Sequence, residues 1–78
     1  MATVAQRFQV IENGIAYEFE ASESGGYVVH VPAAPGCWSE GESFEEAFAM
    51  IKDALEGWLA VAHEKKLVIA PELAGFAA

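Results

Sequence analysis

The residues of this chain that could do chemistry are few: two histidines, one cysteine, a group of glutamates and a turn-bound tryptophan. His30 alternates with Val29 and Val31 in an extended run, whereas His63 lies near the end of a helical one, so the two share no short ligand spacing. Catalysis and metal binding need convergent partners, and both histidines read as structural or interfacial. Cys37 has no basic neighbour in sequence to favour its thiolate, which makes it a small buried hydrophobe rather than a nucleophile. Glu40, Glu42, Glu45 and Glu46 could suggest a divalent-cation site, yet helix capping and the positive end of a helix dipole already account for them. Gly25-Gly26 precede a strand rather than a helix, so they form no phosphate cradle. No serine has a histidine and an acid arranged in a recognisable order. No catalytic, metal or cofactor residue is therefore assigned, and the chain is not expected to be an enzyme. Trp38, between Pro35-Gly36 and Gly41, is either a structural aromatic or one that meets a partner.

Composition narrows the function further. Twelve acidic against four basic residues give a net charge of -8 on a 78-residue chain that is 54% hydrophobic. That apolar content excludes a disordered chain, and the length suits one domain over residues 1–78. Four cations cannot supply the stripe that displaces counterions from nucleic acid. No apolar run is longer than that at 58–62, which falls far short of the ~20 residues of a membrane span. The first residues lack the apolar core of a secretory signal, so a cytoplasmic protein is expected. Fifteen of the hydrophobic residues are alanine, and a lone cysteine excludes an internal disulfide. A core this thin is marginal by itself, and a homo-oligomer, dimer or tetramer, is expected.

The elements that must position these residues follow from patterning. Asn13-Gly14 is the dipeptide of a type I′ hairpin, joining 7–11 to 15–21. Pairing Glu12 with Ile15 sets Val10 opposite Tyr17 and Phe8 opposite Phe19 on an apolar face, with Gln9/Glu18 and Arg7/Glu20 on the other. Tyr27, Val29 and Val31 alternate as the core face of a third strand, leaving Val28, His30 and Ile11 on an outer face more apolar than a free monomer prefers. Pro32 and Pro35 interrupt the ladder, so residues 37–39 form at most a short edge strand. Ser43 and Glu46 have capping-box spacing. Behind them apolar residues at 44, 47, 48, 51, 54, 55, 58, 59 and 62 make a helical stripe, opposite an arc of Glu45, Lys52, Asp53, Glu56 and His63. Gly57 suggests a close approach of the helix backbone to the sheet. Leu67-Val68-Ile69 reads as a last strand stopped by Pro71, and the tail from Glu72 as frayed, with Phe76 able to dock. The expected fold is α+β: an antiparallel sheet of three to four strands, in the order β-β-β-α-β, on one long helix.

Residues 23–32 (Glu-Ser-Gly-Gly-Tyr-Val-Val-His-Val-Pro), 35–41 (Pro-Gly-Cys-Trp-Ser-Glu-Gly) and 43–47 (Ser-Phe-Glu-Glu-Ala), taken in that order, resemble the HicB family of antitoxins. The elements that carry the resemblance are Gly25, Gly26, Tyr27, Pro32, Pro35, Gly36, Gly41, Ser43 and Glu46, within residues 8–71. It implies a partial RNase H-like domain that binds and neutralises HicA, a small basic RNA-cleaving toxin. Two departures stand out. Ala33-Ala34 replace an acidic residue often present before the turn, and 78 residues leave no room for the operator-binding segment many members carry, so direct DNA binding is not expected. The RNase H likeness implies no catalysis, since the acidic cluster of a two-metal nuclease is not evident. An acidic domain suits a basic partner because complementary charge speeds encounter. The expected partner or oligomer contacts are Ile11, Val28, His30, Cys37, Trp38 and Ser39. The alternative is an orphan oligomeric adaptor or regulatory module of the same fold, without a toxin.

Overall fold

The computed structural model describes residues 6–76. Asn13 and Gly14 adopt φ of 53° and 81°, the left-handed pair that a type I′ turn requires. They close β1 (Arg7–Glu12) onto β2 (Ile15–Ala21) in the register expected from the sequence, Phe8 with Phe19, Val10 with Tyr17 and Arg7 with Glu20. β3 (Tyr27–His30) and β4 (Trp38–Gly41) continue an antiparallel meander with spatial order β1-β2-β3-β4. One helix, α1 (Phe44–Glu64), then lies across the inner face. Ile15, Tyr17, Phe19 and Val29 from the sheet, and Ala47, Ile51 and Leu55 from α1, are at most 1% exposed. The aromatic part of this core is continuous, with Phe19 against Phe8 at 5.1 Å and Phe44 at 4.9 Å between ring centroids. Such contacts add about 0.5–1.5 kcal/mol each beyond the area they bury.

The α+β class and the single long helix match the expectation, but the element order differs. The fourth strand is Trp38–Gly41, upstream of the helix, whereas residues 67–69 form no strand. The helix end explains this. Leu67 N–H donates to the Ala62 carbonyl at 2.9 Å and Lys66 N–H to that of His63 at 3.1 Å, the paired bonds of a Schellman cap. The three residues after the cap carry the chain to a 3-10 helix, Pro71–Gly75, instead of pairing along an edge. Nor is the tail frayed there: Leu73 is 2% exposed within the core and Phe76 packs against it.

Lys66 holds φ at 57° in that cap. A left-handed conformation costs an L residue about 1–2 kcal/mol, and a helix-terminal cation returns about 0.3–1 kcal/mol. Lys66→Gly is thus expected to raise stability by about 1 kcal/mol, seen as a higher urea midpoint with an unchanged slope. A lowered midpoint would mean that the lysine contributes more than its backbone costs.

Two further expectations are revised. The capping box is shifted by one residue: Ser43 Oγ accepts from the Glu46 N–H at 3.1 Å, but the Glu46 carboxylate accepts from Glu42 N–H at 2.6 Å rather than from Ser43. The close backbone approach lies at Gly41 and not at Gly57. A Cβ on Gly41 would clash with the Ala47 backbone nitrogen and lie 2.8 Å from Ala47 Cα, while one on Gly57 would meet nothing within 4 Å. Gly57 faces outward because the stripe of buried residues, Ala47, Ile51, Leu55, Leu59 and Ala62, runs along another side of the helix.

Candidate partner-binding face

Strand pairing sorts the candidate residues by parity. Side chains alternate across a sheet, so the residues paired with outward-facing ones also face outward. Two rows cross all four strands on the outer face: Gln9, Glu18, His30 and Trp38 in one, Arg7, Glu20, Val28 and Glu40 in the other. All of these residues except Glu40, together with Phe8 and Phe19, line an open depression of about 510 Å3.

Within the first row, the His30 and Trp38 rings stack at 4.2 Å with 18° between planes. His30 Nε2 lies 3.4 Å from a Glu18 carboxylate oxygen. Arg7 meets Glu20 at 3.7 Å in the second row, which fixes the orientation of that carboxylate more than it stabilises the fold, because exposed pairs contribute about 0–1 kcal/mol. Trp38 remains 57% exposed. A broad aromatic plate is thus held by a stacked histidine in a depression that also holds the Glu18 and Glu20 carboxylates, an arrangement suited to a cation or guanidinium through ring and charge together.

The sequence candidates separate accordingly. Val28, His30 and Trp38 share this surface, and Ile11, 66% exposed, lies on the same face towards the hairpin turn. Cys37 and Ser39 do not. Cys37 is 4% exposed within the core, and Ser39 pairs with fully buried Val29, on the inner side of the sheet. The reason is the turn between β3 and β4. Ala34 N–H donates to Val31, Cys37 N–H to Ala34 and Val31 N–H to Cys37, which folds Ala34 and Cys37 inward. Trp58 Nε1 donates to the Pro35 carbonyl at 3.0 Å and ties the turn to α1. Glu40, Glu42, Glu45 and Glu46 are all exposed, so the acidic surface continues from the sheet to the helix start. His63 stands apart in the last turn of α1. Among the described residues no three His, Cys, Asp or Glu side chains converge as metal ligands.

Glu18 and Glu20 are not among the contacts expected from the sequence, although the hairpin register places both on the outer face. The rows could not be completed without the β3–β4 pairing, which no local motif specifies.

Burial pushes the Cys37 thiol above its ordinary 9.0. It pushes the Tyr17 phenol above its ordinary 10.0, helped by the nearby Glu12 carboxylate and by Cys37. Well below pH 8 both groups keep their protons in the folded and the unfolded chain, so they add no pH dependence there. As pH rises further the unfolded chain releases them first, and stability falls by up to about 1.4 kcal/mol per unit for each group. The urea midpoint is expected to drop between pH 8 and pH 10.5, and an unchanged midpoint would show both groups to be solvated.

Comparison with known proteins adds a family match. A family model described as HicB_like antitoxin of bacterial toxin-antitoxin system matches residues 15–75. A UPF0150 protein of Thermoplasma acidophilum is 46% identical over 37 residues, 47% of this chain and 54% of that protein. One from Archaeoglobus fulgidus is 41% identical over 46 residues, 59% of this chain and 67% of its own length. A Helicobacter pylori UPF0150 protein is 40% identical over 63 residues, 70% of this chain and 88% of its own. The chain thus spans about half the length of the first of these relatives and more of the other two. No solved structure matches it.

Proposed function

The chain belongs to the HicB-like antitoxin family of bacterial toxin-antitoxin systems, and from that premise we propose that it neutralises a small basic RNA-cleaving toxin of the HicA type by covering the toxin's RNA-binding surface. The observation that carries this reading is the outer sheet face, which Glu18, Glu20 and Glu40 share with the exposed Trp38–His30 stack. A surface that binds RNA presents lysine and arginine to phosphates. Carboxylates spaced along two strand rows offer those cations an alternative partner, and the tryptophan supplies the large rigid contact typical of a binding hot spot. Opposite charge also speeds encounter, which matters for an inhibitor that must capture its toxin before RNA does. Masking needs no bond-making step by this chain. The encounter takes place in the cytoplasm, where the RNA is.

Co-expression with the product of a short basic open reading frame, where one adjoins its gene, tests the reading. Growth arrest caused by that product is expected to be relieved, and the two proteins to co-purify. Persistent arrest with no complex would overturn the antitoxin role for this chain.

A further inference from the structure

The carboxylates that line the depression on the outer sheet face are not equivalent. Glu20 has a counterion within the chain, since Arg7 Nη2 lies 3.7 Å from its Oε2. Glu18 meets no lysine or arginine. Its Oε1 lies 3.4 Å from His30 Nε2, and its Oε2 enters no ion pair or hydrogen bond among the described residues. Arg7 thus balances one of the two carboxylates in the lining, and with the imidazole neutral the remaining negative charge stands at Glu18, beside the rings.

The fold sets that proximity. Glu18 pairs with His30 and His30 with Trp38, so the three side chains follow one another across the same side of the sheet. His30 touches both neighbours, the carboxylate through Nε2 and the indole through the 4.2 Å stack. The two tryptophans differ in kind. Trp58 donates its Nε1 hydrogen to the Pro35 carbonyl and packs against the core, whereas Trp38 is 57% exposed and its Nε1 makes no hydrogen bond among the described residues. The fold explains Trp58, but it leaves most of the Trp38 ring in solvent.

A ring and a carboxylate side by side discriminate between cations. A guanidinium is planar and weakly hydrated, so it can lay its face on an aromatic ring while N–H groups at its edge reach a carboxylate. The lysine ammonium is a compact, strongly hydrated point charge, which gains from the carboxylate but less from the ring. We propose that the depression holds an arginine-selective subsite, with Glu18 as the ion-pair partner, Trp38 as the stacking surface and His30 as the residue that positions both. An arginine of the toxin, rather than a lysine, occupies it, an assignment that rests on the reading above that a basic toxin meets this face.

Titrating the purified chain with two octapeptides, one alternating glycine with arginine and the other glycine with lysine, tests the selectivity at equal charge. Binding is followed by NMR at the backbone amides of Glu18 and Val28, which report on this face in every variant. The arginine peptide is expected to bind at least about threefold more tightly, within the range of an exposed ring–cation contact. Trp38→Leu keeps an apolar side chain without the ring and is expected to lose most of that preference with an unchanged circular dichroism spectrum. His30→Ala is expected to reduce the preference in the same direction, and Glu18→Gln to weaken the binding of both peptides. A smaller ratio in the wild-type chain would overturn the arginine subsite, as would a preference undiminished in Trp38→Leu. Co-purification with a toxin is a separate readout. Capture of the toxin alongside equal peptide affinities would sink the subsite and leave the neutralising role standing, whereas a Trp38-dependent arginine preference in a chain that captures no toxin would support the subsite and overturn that role.

Discussion

Replacing Gly41 with alanine is expected to remove about 3 kcal/mol of stability, the upper part of the range for overpacked sites, and to lower Tm by roughly 12–24 °C for a domain of this size. The added Cβ would meet backbone and not a movable side chain: the Ala47 nitrogen, Ala47 Cα at 2.8 Å and Glu46 C at 2.9 Å. These atoms form the first turn of α1, pinned by the Ser43 cap and by the Glu46 carboxylate on Glu42 N–H. Relief would require β4 to move off the helix, and the Gly41 carbonyl already lies within 2.7 Å of where a Cβ on Gly26 would sit. Thermal unfolding followed by circular dichroism measures the effect. Gly57→Ala is the internal control, because its Cβ meets nothing and alanine favours a helix by about 1 kcal/mol over glycine. A Gly41→Ala protein melting within about 3 °C of wild type would mean that the strand and helix are less closely apposed than described.

The second large effect concerns function. Reversing both charges in Glu18→Lys/Glu20→Lys is expected to weaken capture of a basic toxin at least a hundredfold, about 2.7 kcal/mol, since like charges opposed across an interface cost several kcal/mol. Folding should barely change. Both side chains are 45–47% exposed, and the lost Arg7–Glu20 pair contributes at most about 1 kcal/mol. Trp38→Ala should weaken capture in the same direction without altering net charge, which separates the aromatic contact from the field. Raising salt from 50 to 500 mM should weaken the wild-type complex and affect the reversed variant much less, because screening acts on exposed charge. A change of under threefold on double reversal would move the toxin to another surface and leave the family assignment untouched.

Much of this protein is legible from local sequence. Asn13-Gly14 dictates the turn, the turn dictates the β1–β2 register, and the register determines which residues of the hairpin enter the core. Ser43 marks the start of α1 and a 3.6-residue apolar period marks its buried side, because both are properties of a few adjacent residues. The order of motifs around Gly25-Gly26-Tyr27, Pro35-Gly36 and Ser43 to Glu46 was enough to indicate the family. Where expectation failed, the deciding interaction lay far along the chain or in the geometry of a helix end. Leu67-Val68-Ile69 has strand composition, yet the Schellman bonds at residues 62–67 redirect it.

Gly41 and Gly57 show the same division. In sequence each is only a glycine, one beside a predicted helix start and one within the helix. Tertiary structure makes the first a point of backbone contact and the second an unfilled surface position. Likewise the acidic charge and the resemblance to the antitoxin family are readable in the sequence alone. Charge and short motifs depend on composition and local order alone. Only the four-strand pairing decided that Gln9, Glu18, His30 and Trp38 form one row while Cys37 and Ser39 turn inward. Which side chains share a face depends on register between strands separated by turns of unlike length, and a one-residue slip would exchange the two faces.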